Sequence, residues 1–283
     1  GIELLTADAI QNTGERVAGA TSQFISRANP ILSAALPSGE RIQVILPPAA
    51  PDGGAISIRK QVVSNFTLEH YRDTGALDKV AVAVGGLNDT DRTLIGFLRN
   101  NAIYDFIDTA IRSRVSILIS GGTSSGKTTF LNACLNSIDE NERILTLEDT
   151  RELFPPHANR VHLLASRGDQ GTANVMIQQL LEASLRMRPD RIFVGEIRGA
   201  EAFSFLRAIN TGHPGSMSTV HADTPQGAYE QLAMMMQQAG MSAGYSKDDL
   251  MSYIRMVIPI VIQLRRDGGK RGVSEIHFAR QEE

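Results

Sequence analysis

The chain has 283 residues and a formal net charge of −3, and 42% of its residues are hydrophobic and 21% charged. This length accommodates two domains or one large one, and the nearly neutral charge gives no support to a basic nucleic-acid-binding domain. The single cysteine, Cys134, excludes a disulfide framework and a cysteine-based zinc site, and it fits a reducing compartment.

The sequence contains no candidate membrane span or signal peptide. The most apolar stretch, 257–264, is too short to cross a bilayer and contains Pro259. The first residues lack the basic and apolar segments of a signal peptide. Because the chain begins with Gly1 rather than Met, the sequence leaves open a truncation at the start of the amino-terminal domain.

Residues 1–66 are predicted to form a small α+β domain. Pro37-Ser38-Gly39-Glu40 is a turn signal between two apolar segments, which indicates a β-hairpin. The predicted elements are a helix within 5–27, hairpin strands at 31–36 and 41–46, and a further strand at 55–63. Residues 67–91, with the turn signal Gly85-Gly86, are expected to form a linker.

Residues 92–283 are predicted to form a second domain, because strands and helices alternate there in the manner typical of a mostly parallel sheet. The predicted helices are 92–113, 172–187, 199–211, 225–239 and 247–256. The predicted strands are 115–120, 143–147, 160–164 and 191–194, followed by a terminal hairpin of 257–266 and 273–278.

The first predicted strand of this domain leads into a phosphate-binding loop. Gly121, Gly126, Lys127 and Thr128 fit the pattern G-x-x-x-x-G-K-[ST], known as Walker A, and a helix follows. Backbone amides freed by the glycines surround phosphate oxygens, Lys127 reaches the β- and γ-phosphates, and the Thr128 hydroxyl can bind Mg²⁺. The predicted nucleotide-binding residues are Gly121, Gly122, Thr123, Ser124, Ser125, Gly126, Lys127, Thr128 and Thr129.

The alternative interpretation, a chance glycine-rich turn, does not account for the predicted strand before the loop and the predicted helix after it. We therefore expect ATP and Mg²⁺ as ligands.

Two acidic residues at predicted strand ends are candidates for the chemistry of hydrolysis. Glu148, which precedes Asp149, follows one apolar strand, and Glu196 follows another. The carboxyl ends of parallel strands face the ligand crevice, so both would approach the γ-phosphate. Gly195 stands where Walker B strands often carry Asp, so Glu196 is assigned to Mg²⁺, through water, and Glu148 to the general base. The alternative is that these carboxylates lie at solvated ends of strands.

The segment 211–222 is rich in Gly, Ser and Thr and contains His213 and His221. This pairing suggests a γ-phosphate sensor, although a surface histidine is usually only a polar side chain. Neither histidine has a metal-type partner three or four residues away, which argues against zinc.

Hydrolysis of this kind usually needs an additional cation, often from another subunit. The sequence does not choose among the candidate arginines, any one of which could equally form a surface ion pair. They are Arg41, Arg59, Arg112, Arg114 and Arg198.

Four ordered motifs resemble the secretion ATPase family, whose members power type II secretion, type IV pili and type IV secretion. They are the phosphate loop, LEDTREL at 147–153, LRMRPDRIFVGEIRGAEAF at 185–203 and TGHPGSMSTVHAD at 211–223. The resemblance covers 92–283, and GERIQVILPP at 39–48 together with AISIRKQ at 55–61 looks like the amino-terminal domain of the type IV secretion branch. Cys134 alone cannot supply the four-cysteine zinc module usual in type II secretion ATPases, and the AIRNLIRE-like segment of pilus retraction ATPases is not found.

The resemblance implies a RecA-like P-loop domain preceded by the small α+β domain. It also implies a homo-hexameric ring in the bacterial cytoplasm, peripheral to the inner membrane, with other inner-membrane and cytoplasmic secretion components as partners. Nucleotide would lie between the two domains, which favours Arg41 and Arg59 among the arginines. The family's general base, its Mg²⁺-associated acid and its His-box residue would be Glu148, Glu196 and His221.

The sequence thus predicts an ATP hydrolase of a type IV secretion system that drives substrate transport or pilus assembly. The alternatives are a motor of a type IV pilus or type II-like machine, a nucleotide-gated scaffold with little turnover, and a P-loop kinase. The acceptor pocket and lid segment that a kinase needs are not legible in the sequence.

Overall fold

The computed structural model describes residues 5–60, 66–80, 86–166, 172–240 and 244–281. Its first part is a three-stranded antiparallel sheet with strand order β1-β2-β3 and one preceding helix. These elements are α1 (Ala7–Ala20), β1 (Ile31–Ala35), β2 (Arg41–Ile45) and β3 (Ala55–Arg59). The predicted hairpin is confirmed, and the predicted continuation of the third strand to Val63 lies outside the described residues.

A small hydrophobic core holds α1 against this sheet. Ile10 and Val17, seven residues apart on one face of α1, are buried with Leu32, Ile42 and Val44 of the strands. The helix begins at Thr6, whose hydroxyl accepts a hydrogen bond from the backbone amide of Ala9. The α+β character predicted for this region is therefore confirmed.

The predicted linker contains a short helix, and the long helix predicted at 92–113 is wrong. The elements are α2 (Leu68–Asp73), α3 (Asp89–Arg99) and α4 (Ile103–Arg112). Helix α3 begins early because Asn88 and Asp91 form a reciprocal capping box. The chain breaks at Asn101, whose φ of 53° is left-handed, a conformation that asparagine tolerates better than most residues. Gly85 of the predicted turn lies outside the described residues.

The second part of the chain is organised around a seven-stranded sheet with order β10-β9-β4-β8-β7-β5-β6. All neighbouring strands are parallel except β9 and β10, which form the antiparallel terminal hairpin. The strands are β4 (Ile117–Gly121), β5 (Ile144–Glu148), β6 (Arg160–Leu164), β7 (Arg191–Val194), β8 (Met217–Val220), β9 (Ile260–Asp267) and β10 (Lys270–Phe278). The helices are α5 (Lys127–Leu135), α6 (Ile177–Ser184), α7 (Glu201–Asn210), α8 (Pro225–Gln238) and α9 (Lys247–Val257). The predicted α/β class is confirmed.

Two helical layers cover the sheet, because successive side chains of each strand point to opposite faces. Ile117 and Ile119 of β4 pack with α3, α4 and α5, whereas Leu118 packs on the other face with α6, α7, α8 and α9. Both faces are therefore buried, which explains the continuous apolar runs of β4, β5 and β7.

Strand β8 was not predicted, although it lies in the middle of the sheet next to β4. Its sequence, Met-Ser-Thr-Val, is polar for a buried strand. The hydroxyl groups of Ser218 and Thr219 donate to the carbonyls of Val194 and Gly195, at 2.7 and 2.8 Å. These bonds to β7 and the residue after it satisfy the polar groups, so the strand is stable without an apolar pattern.

The segment that follows β2 packs against the β6 edge of the large sheet. Ala49 and Ala50 join the large hydrophobic core, and the backbone amide of Leu164 in β6 donates to the carbonyl of Ala49 at 2.8 Å. Asp52 pairs with Arg151 at 2.7 Å. Across the described ranges, no helix has both the length and the apolar character needed to cross a bilayer.

Candidate active site

A cleft of about 720 Å³ opens at the carboxyl ends of four neighbouring strands, β4, β8, β7 and β5. Its lining includes residues 123–129, which are seven of the nine predicted nucleotide-binding residues. Gly121 and Gly122 lie just before them, where β4 ends. The topology thus brings the phosphate loop and the acidic strand ends to one edge of the sheet, as parallel α/β folds do.

The glycines of the loop are required by close approach and by backbone conformation. A Cβ on Gly121 would lie 2.5 Å from Oγ of Ser125 and 2.7 Å from the carbonyl oxygen of Leu264. Gly126 has a φ of 96° and forms the N-cap of α5, so its conformation is one that other residues rarely adopt. The chain can therefore turn sharply from β4 into α5 and direct backbone amides into the cleft.

Lys127 begins α5 and is almost completely buried. Its Nζ donates to the carbonyls of Gly121 and Gly122, at 2.9 and 3.2 Å, and lies 3.2 Å from Nδ1 of His221. Burial lowers the pKa of Lys127, and the carboxylate of Glu196 offsets part of this effect. The ammonium group is thus held directly above the loop.

Lys127, His221 and Glu196 form a continuous chain of hydrogen bonds. His221 Nε2 lies 2.9 Å from Oε1 of Glu196. A lysine ammonium group can only donate, so Nδ1 of His221 accepts and its proton resides on Nε2, which donates to Glu196. This neutral tautomer links the phosphate loop to the end of β7. Of the predicted histidines, His221 is the one that lines the cleft.

Glu196 is also bound to Arg198. Nη2 of Arg198 donates to Oε2 of Glu196 at 2.6 Å, and Nη1 donates to Asp149 at 3.0 Å. The hydrogen bond to Glu196 is the largest effect that raises the pKa of Arg198. Arg198 therefore connects the ends of β5 and β7, and it is the one candidate arginine among the described cleft-lining residues.

Glu148, the last residue of β5, is buried in the wall of the cleft. Its Oε1 accepts hydrogen bonds from the backbone amides of Glu152 and Leu153, both at 2.9 Å. Its Oε2 is buried and has no hydrogen-bond partner of ordinary geometry among the described residues. Burial raises the pKa of Glu148 and outweighs the lowering effects of the two amides and the nearby Thr146 hydroxyl. One carboxylate oxygen is therefore held by two backbone amides, and the other is buried without such a partner among the described residues.

Gly195 has a steric role beside Glu148. A Cβ at residue 195 would lie 3.1 Å from Cγ of Glu148, a tighter contact than most side chains tolerate. An Asp here, as in the commoner Walker B form, would press on the Glu148 side chain. The departure seen in the sequence thus makes room for the neighbouring carboxylate.

The other predicted candidates lie away from the cleft in this chain. Arg112 pairs with Asp108 at 2.7 Å, and Arg114 pairs with Glu142 at 3.3 Å. Arg41 and Arg59 are exposed and lie opposite each other on β2 and β3, and neither lines the cleft. Their predicted approach to nucleotide stays a prediction.

His213 lies before β8, at the opposite end of this strand from His221. Its Nδ1 lies 2.9 Å from the carbonyl oxygen of Pro189, and burial lowers its pKa. The suggestion of a phosphate sensor therefore fits His221 and does not fit His213.

Sequence reasoning missed Arg271, which belongs to β10 and lines the cleft. A Cβ on Gly126 would lie 3.2 Å from Cδ of Arg271, so the arginine side chain lies against the phosphate loop. The only local signal was its place beside the tight turn of a hairpin, because the pairing of β9 with β4 brings together residues far apart in sequence.

The donor groups of the cleft fit Mg²⁺ held mainly by phosphate and water. The described part of the chain contains no group of three or more His, Cys, Asp or Glu residues suited to enclose a metal. Thr128 and Glu196 both line the cleft. One hydroxyl and one carboxylate, with phosphate and water oxygens, form the oxygen set that Mg²⁺ prefers in nucleotide sites.

A parallel sheet with a phosphate loop and carboxylates at the neighbouring strand ends defines a P-loop ATPase. The family described as type II/IV secretion system protein matches residues 6–271. The chain belongs to this family, as the sequence motifs predicted.

Individual relatives and a solved structure agree with this family assignment. The chain is 39% identical over 286 residues to the type IV secretion system protein VirB11 of Bartonella quintana, covering 97% of this chain and 80% of the relative. It is 39% identical over 273 residues to the type IV secretion system protein PtlH of Bordetella pertussis, with 93% and 80% covered. The crystal structure of the VirB11 ATPase of the Brucella suis type IV secretion system, in complex with sulphate, matches with a TM-score of 0.89 and 31% identity. That match covers 98% of this chain and 86% of the Brucella suis chain.

Proposed function

We propose that this ATPase is the traffic ATPase of a type IV secretion system. It binds and hydrolyses Mg-ATP in a homo-hexameric ring, and the cycle drives movements of one domain against the other for substrate transport or pilus assembly. Its relatives in Bartonella quintana and Bordetella pertussis are named as type IV secretion system proteins, which supports this branch of the family.

The observation that carries the proposal is the placement of Lys127, Glu148 and Glu196 around one cleft. Glu148 acts as the general base, because its Oε1 is fixed by two backbone amides while its Oε2 has no hydrogen-bond partner of ordinary geometry among the described residues and would accept a proton from a water that enters the cleft. Burial raises the pKa of Glu148, which makes it a stronger base than an exposed carboxylate.

Lys127 would exchange its contacts with Gly121 and Gly122 for the β- and γ-phosphate oxygens. A movement of Lys127 toward phosphate would change its contact with His221, and His221 would pass this change to Glu196 because its two ring nitrogens face these two residues. Binding of the γ-phosphate is thereby coupled to the position of the acid after β7.

Mg²⁺ would be held by the Thr128 hydroxyl and, through water, by Glu196. When bound there, it would neutralise charge on the β- and γ-phosphates. Glu196 is engaged by Arg198 and His221, so its carboxylate is already oriented toward the cleft. Domains at 1–66 and 92–283, joined by 67–91, would move relative to each other as nucleotide binds and leaves.

Assembly into a ring would supply an additional arginine for the γ-phosphate. Arg41 and Arg59 are exposed and lie outside the cleft of their own chain, so a rearranged domain or a neighbouring subunit would bring them to the γ-phosphate. We place the ring in the bacterial cytoplasm, peripheral to the inner membrane, where it contacts inner-membrane and cytoplasmic components of the secretion apparatus.

The test combines mass in solution with turnover, each measured with and without ATP and Mg²⁺. We expect a sixfold mass and Mg²⁺-dependent ATP hydrolysis, and we expect Lys127→Ala to reduce hydrolysis to background. Turnover near the wild-type level in Lys127→Ala would refute the assignment of the cleft. Negligible hydrolysis by an assembled ring would favour the nucleotide-gated scaffold instead.

A further inference from the structure

Arg271 is a charged residue of the cleft for which the proposed chemistry has no role. It lies one residue after the start of β10, and its side chain packs against the phosphate loop at Gly126. Among the described residues it forms no salt bridge within 4 Å, although the lining of the cleft includes seven other ionisable side chains, four of them acidic. The position therefore provides a free cation beside the site where phosphates bind.

The strand order indicates which end of a bound nucleotide would lie near Arg271. Strand β4 carries the phosphate loop, and β8, β7 and β5 follow on one side with His221, Glu196 and Glu148. The hairpin β9–β10 lies on the other side of β4. A nucleotide whose γ-phosphate faces the acids must extend its α-phosphate and nucleoside away from them. That direction leads to the hairpin and Arg271.

A second observation points to an anion at this place. Arg266 of β9 lies directly opposite Arg271 in the hairpin register, so the two side chains share one face. Leu264, two residues before Arg266, is on the same face and belongs to the same buried cluster as Leu131 of α5, so that face is the one toward the phosphate-loop helix. Like charges directly opposite each other repel and destabilise a sheet. A phosphate bound near both arginines would pair with them and make the local electrostatic energy favourable.

We propose that Arg271 binds the nucleoside end of the nucleotide and that its guanidinium pairs with the α-phosphate. The proposal rests on the cleft being the ATP site. Arg271 belongs to the same chain as the phosphate loop, so this contact exists in a single subunit and does not depend on ring assembly. It is formed equally with ATP and ADP, because both carry the α-phosphate.

The experiment measures dissociation constants for ADP, GDP and ATP by calorimetry, in the presence of Mg²⁺. We expect Arg271→Ala to raise the constant about 10-fold for all three ligands, the size expected for loss of one charge-assisted hydrogen bond. Arg271→Lys should recover part of the affinity because it keeps the charge and loses the planar fork. Arg271 is exposed, so the variants should unfold at the temperature of the wild type, which circular dichroism checks.

The matched control is Arg265→Ala, which removes the same charge from the same hairpin. Arg265 is exposed and, by the alternation of β9, points to the face opposite that of Arg266. Its dissociation constants should stay within about 2-fold of the wild type, since exposed charges act weakly through solvent.

Three results would overturn the proposal. They are an unchanged ADP affinity in Arg271→Ala, an equal loss in Arg265→Ala, and a loss restricted to ATP or to adenine nucleotides, which would assign Arg271 to the γ-phosphate or the base. Binding of ADP by the wild type and its loss in Lys127→Ala test the cleft itself. Failure of the Arg271 proposal is therefore distinguishable from failure of the proposed function.

Discussion

The two ends of the large sheet both bury charge, but they treat it differently. At the amino ends of the strands, Arg191 is fully buried, and its Nε and Nη2 donate to the two oxygens of Glu142, both at 2.8 Å. Its Nη1 donates to the carbonyl of Ile111 at 2.7 Å, and Arg114 adds a contact to Glu142. This pair is enclosed and hydrogen-bonded on all sides.

At the carboxyl ends, Glu148 is buried to a similar degree, but its Oε2 has no hydrogen-bond partner of ordinary geometry in the part of the chain that the structure describes. Lys127 is bound to backbone carbonyls, which a phosphate can replace. A buried ion pair whose hydrogen bonds are all made stabilises a single arrangement of the fold. A buried charged group without all its partners gains energy when a ligand supplies the missing contacts. The carboxyl ends of the strands are thus distinguished by charged groups whose contacts a ligand can complete or replace.

The largest expected effect tests this distinction at the carboxyl end. Glu148→Gln keeps an oxygen for the amides of Glu152 and Leu153 but removes the proposed general base. We expect kcat for ATP to fall by roughly 10²- to 10⁴-fold, the usual contribution of a general base, with ATP binding retained. A turnover assay and calorimetry measure the two quantities. Full activity in this variant would move the base to another residue.

The second prediction tests the amino end. Glu142→Ala leaves the guanidinium of Arg191 buried with carbonyl partners only, and we expect a loss of about 3–5 kcal/mol in the free energy of unfolding. Urea denaturation measures this loss, and kcat per folded molecule should be unchanged.

Two further variants control that measurement. The double variant Glu142→Leu/Arg191→Met, which removes both charges, should recover most of the stability. Asp73→Ala, which breaks an exposed pair with Arg72, should have no measurable effect. A low kcat in folded Glu142→Ala would show that the two ends of the sheet are coupled and would contradict this prediction.

The sequence predicted the parts of this picture that depend on local pattern. The phosphate loop, Glu148 and Glu196 each follow an apolar strand, and a parallel sheet brings such ends together. The predicted α/β class depended on the same alternation of strands and helices.

The parts that were missed depend on contacts between distant residues. Strand β8 is polar and is stabilised by hydroxyl bonds to the carbonyls of Val194 and Gly195, which no pattern within its four residues reveals. Gly215 is another case, because a Cβ there would lie 2.7 Å from Nη1 of Arg191. Part of the histidine-containing loop thus serves the ion pair at the amino end, and its sequence alone does not separate this role from that of His221.

The third prediction concerns the space that Gly195 leaves for Glu148. Gly195→Ala places a Cβ 3.1 Å from Cγ of Glu148, so the carboxylate must shift by a few tenths of an ångström. We expect kcat to fall about 10-fold, since catalytic groups are sensitive to displacements below 1 Å.

Gly96→Ala is the matched control for this substitution. Gly96 lies in α3, and a Cβ there meets no atom of the other described residues within 4 Å apart from the backbone of its own helix. The change should therefore leave kcat unaltered and stabilise the helix by roughly 0.5–1 kcal/mol. Wild-type kcat in Gly195→Ala would mean that the position of Glu148 is less constrained than the contact indicates.

The smallest effect is the pH dependence of stability at the catalytic end. Burial raises the pKa of Glu148 above its ordinary value of 4.5, so the folded protein holds this proton more tightly than the unfolded chain. The favourable contribution of the protonated group is present at acid pH and is lost as the pH rises from 4.5 through the raised folded pKa. Wherever the pH lies above the folded pKa, the wild type therefore carries a buried charge that Glu148→Gln lacks. We expect the variant to unfold at a higher temperature than the wild type at neutral pH and this gain to shrink as the pH falls toward 4.5.

The control is Glu182→Gln, an exposed change on α6, whose unfolding temperature should stay close to that of the wild type throughout. If Glu148→Gln were instead less stable at neutral pH, the amide bonds of Glu152 and Leu153 would outweigh burial, and the carboxylate would belong with the satisfied charges of the opposite end.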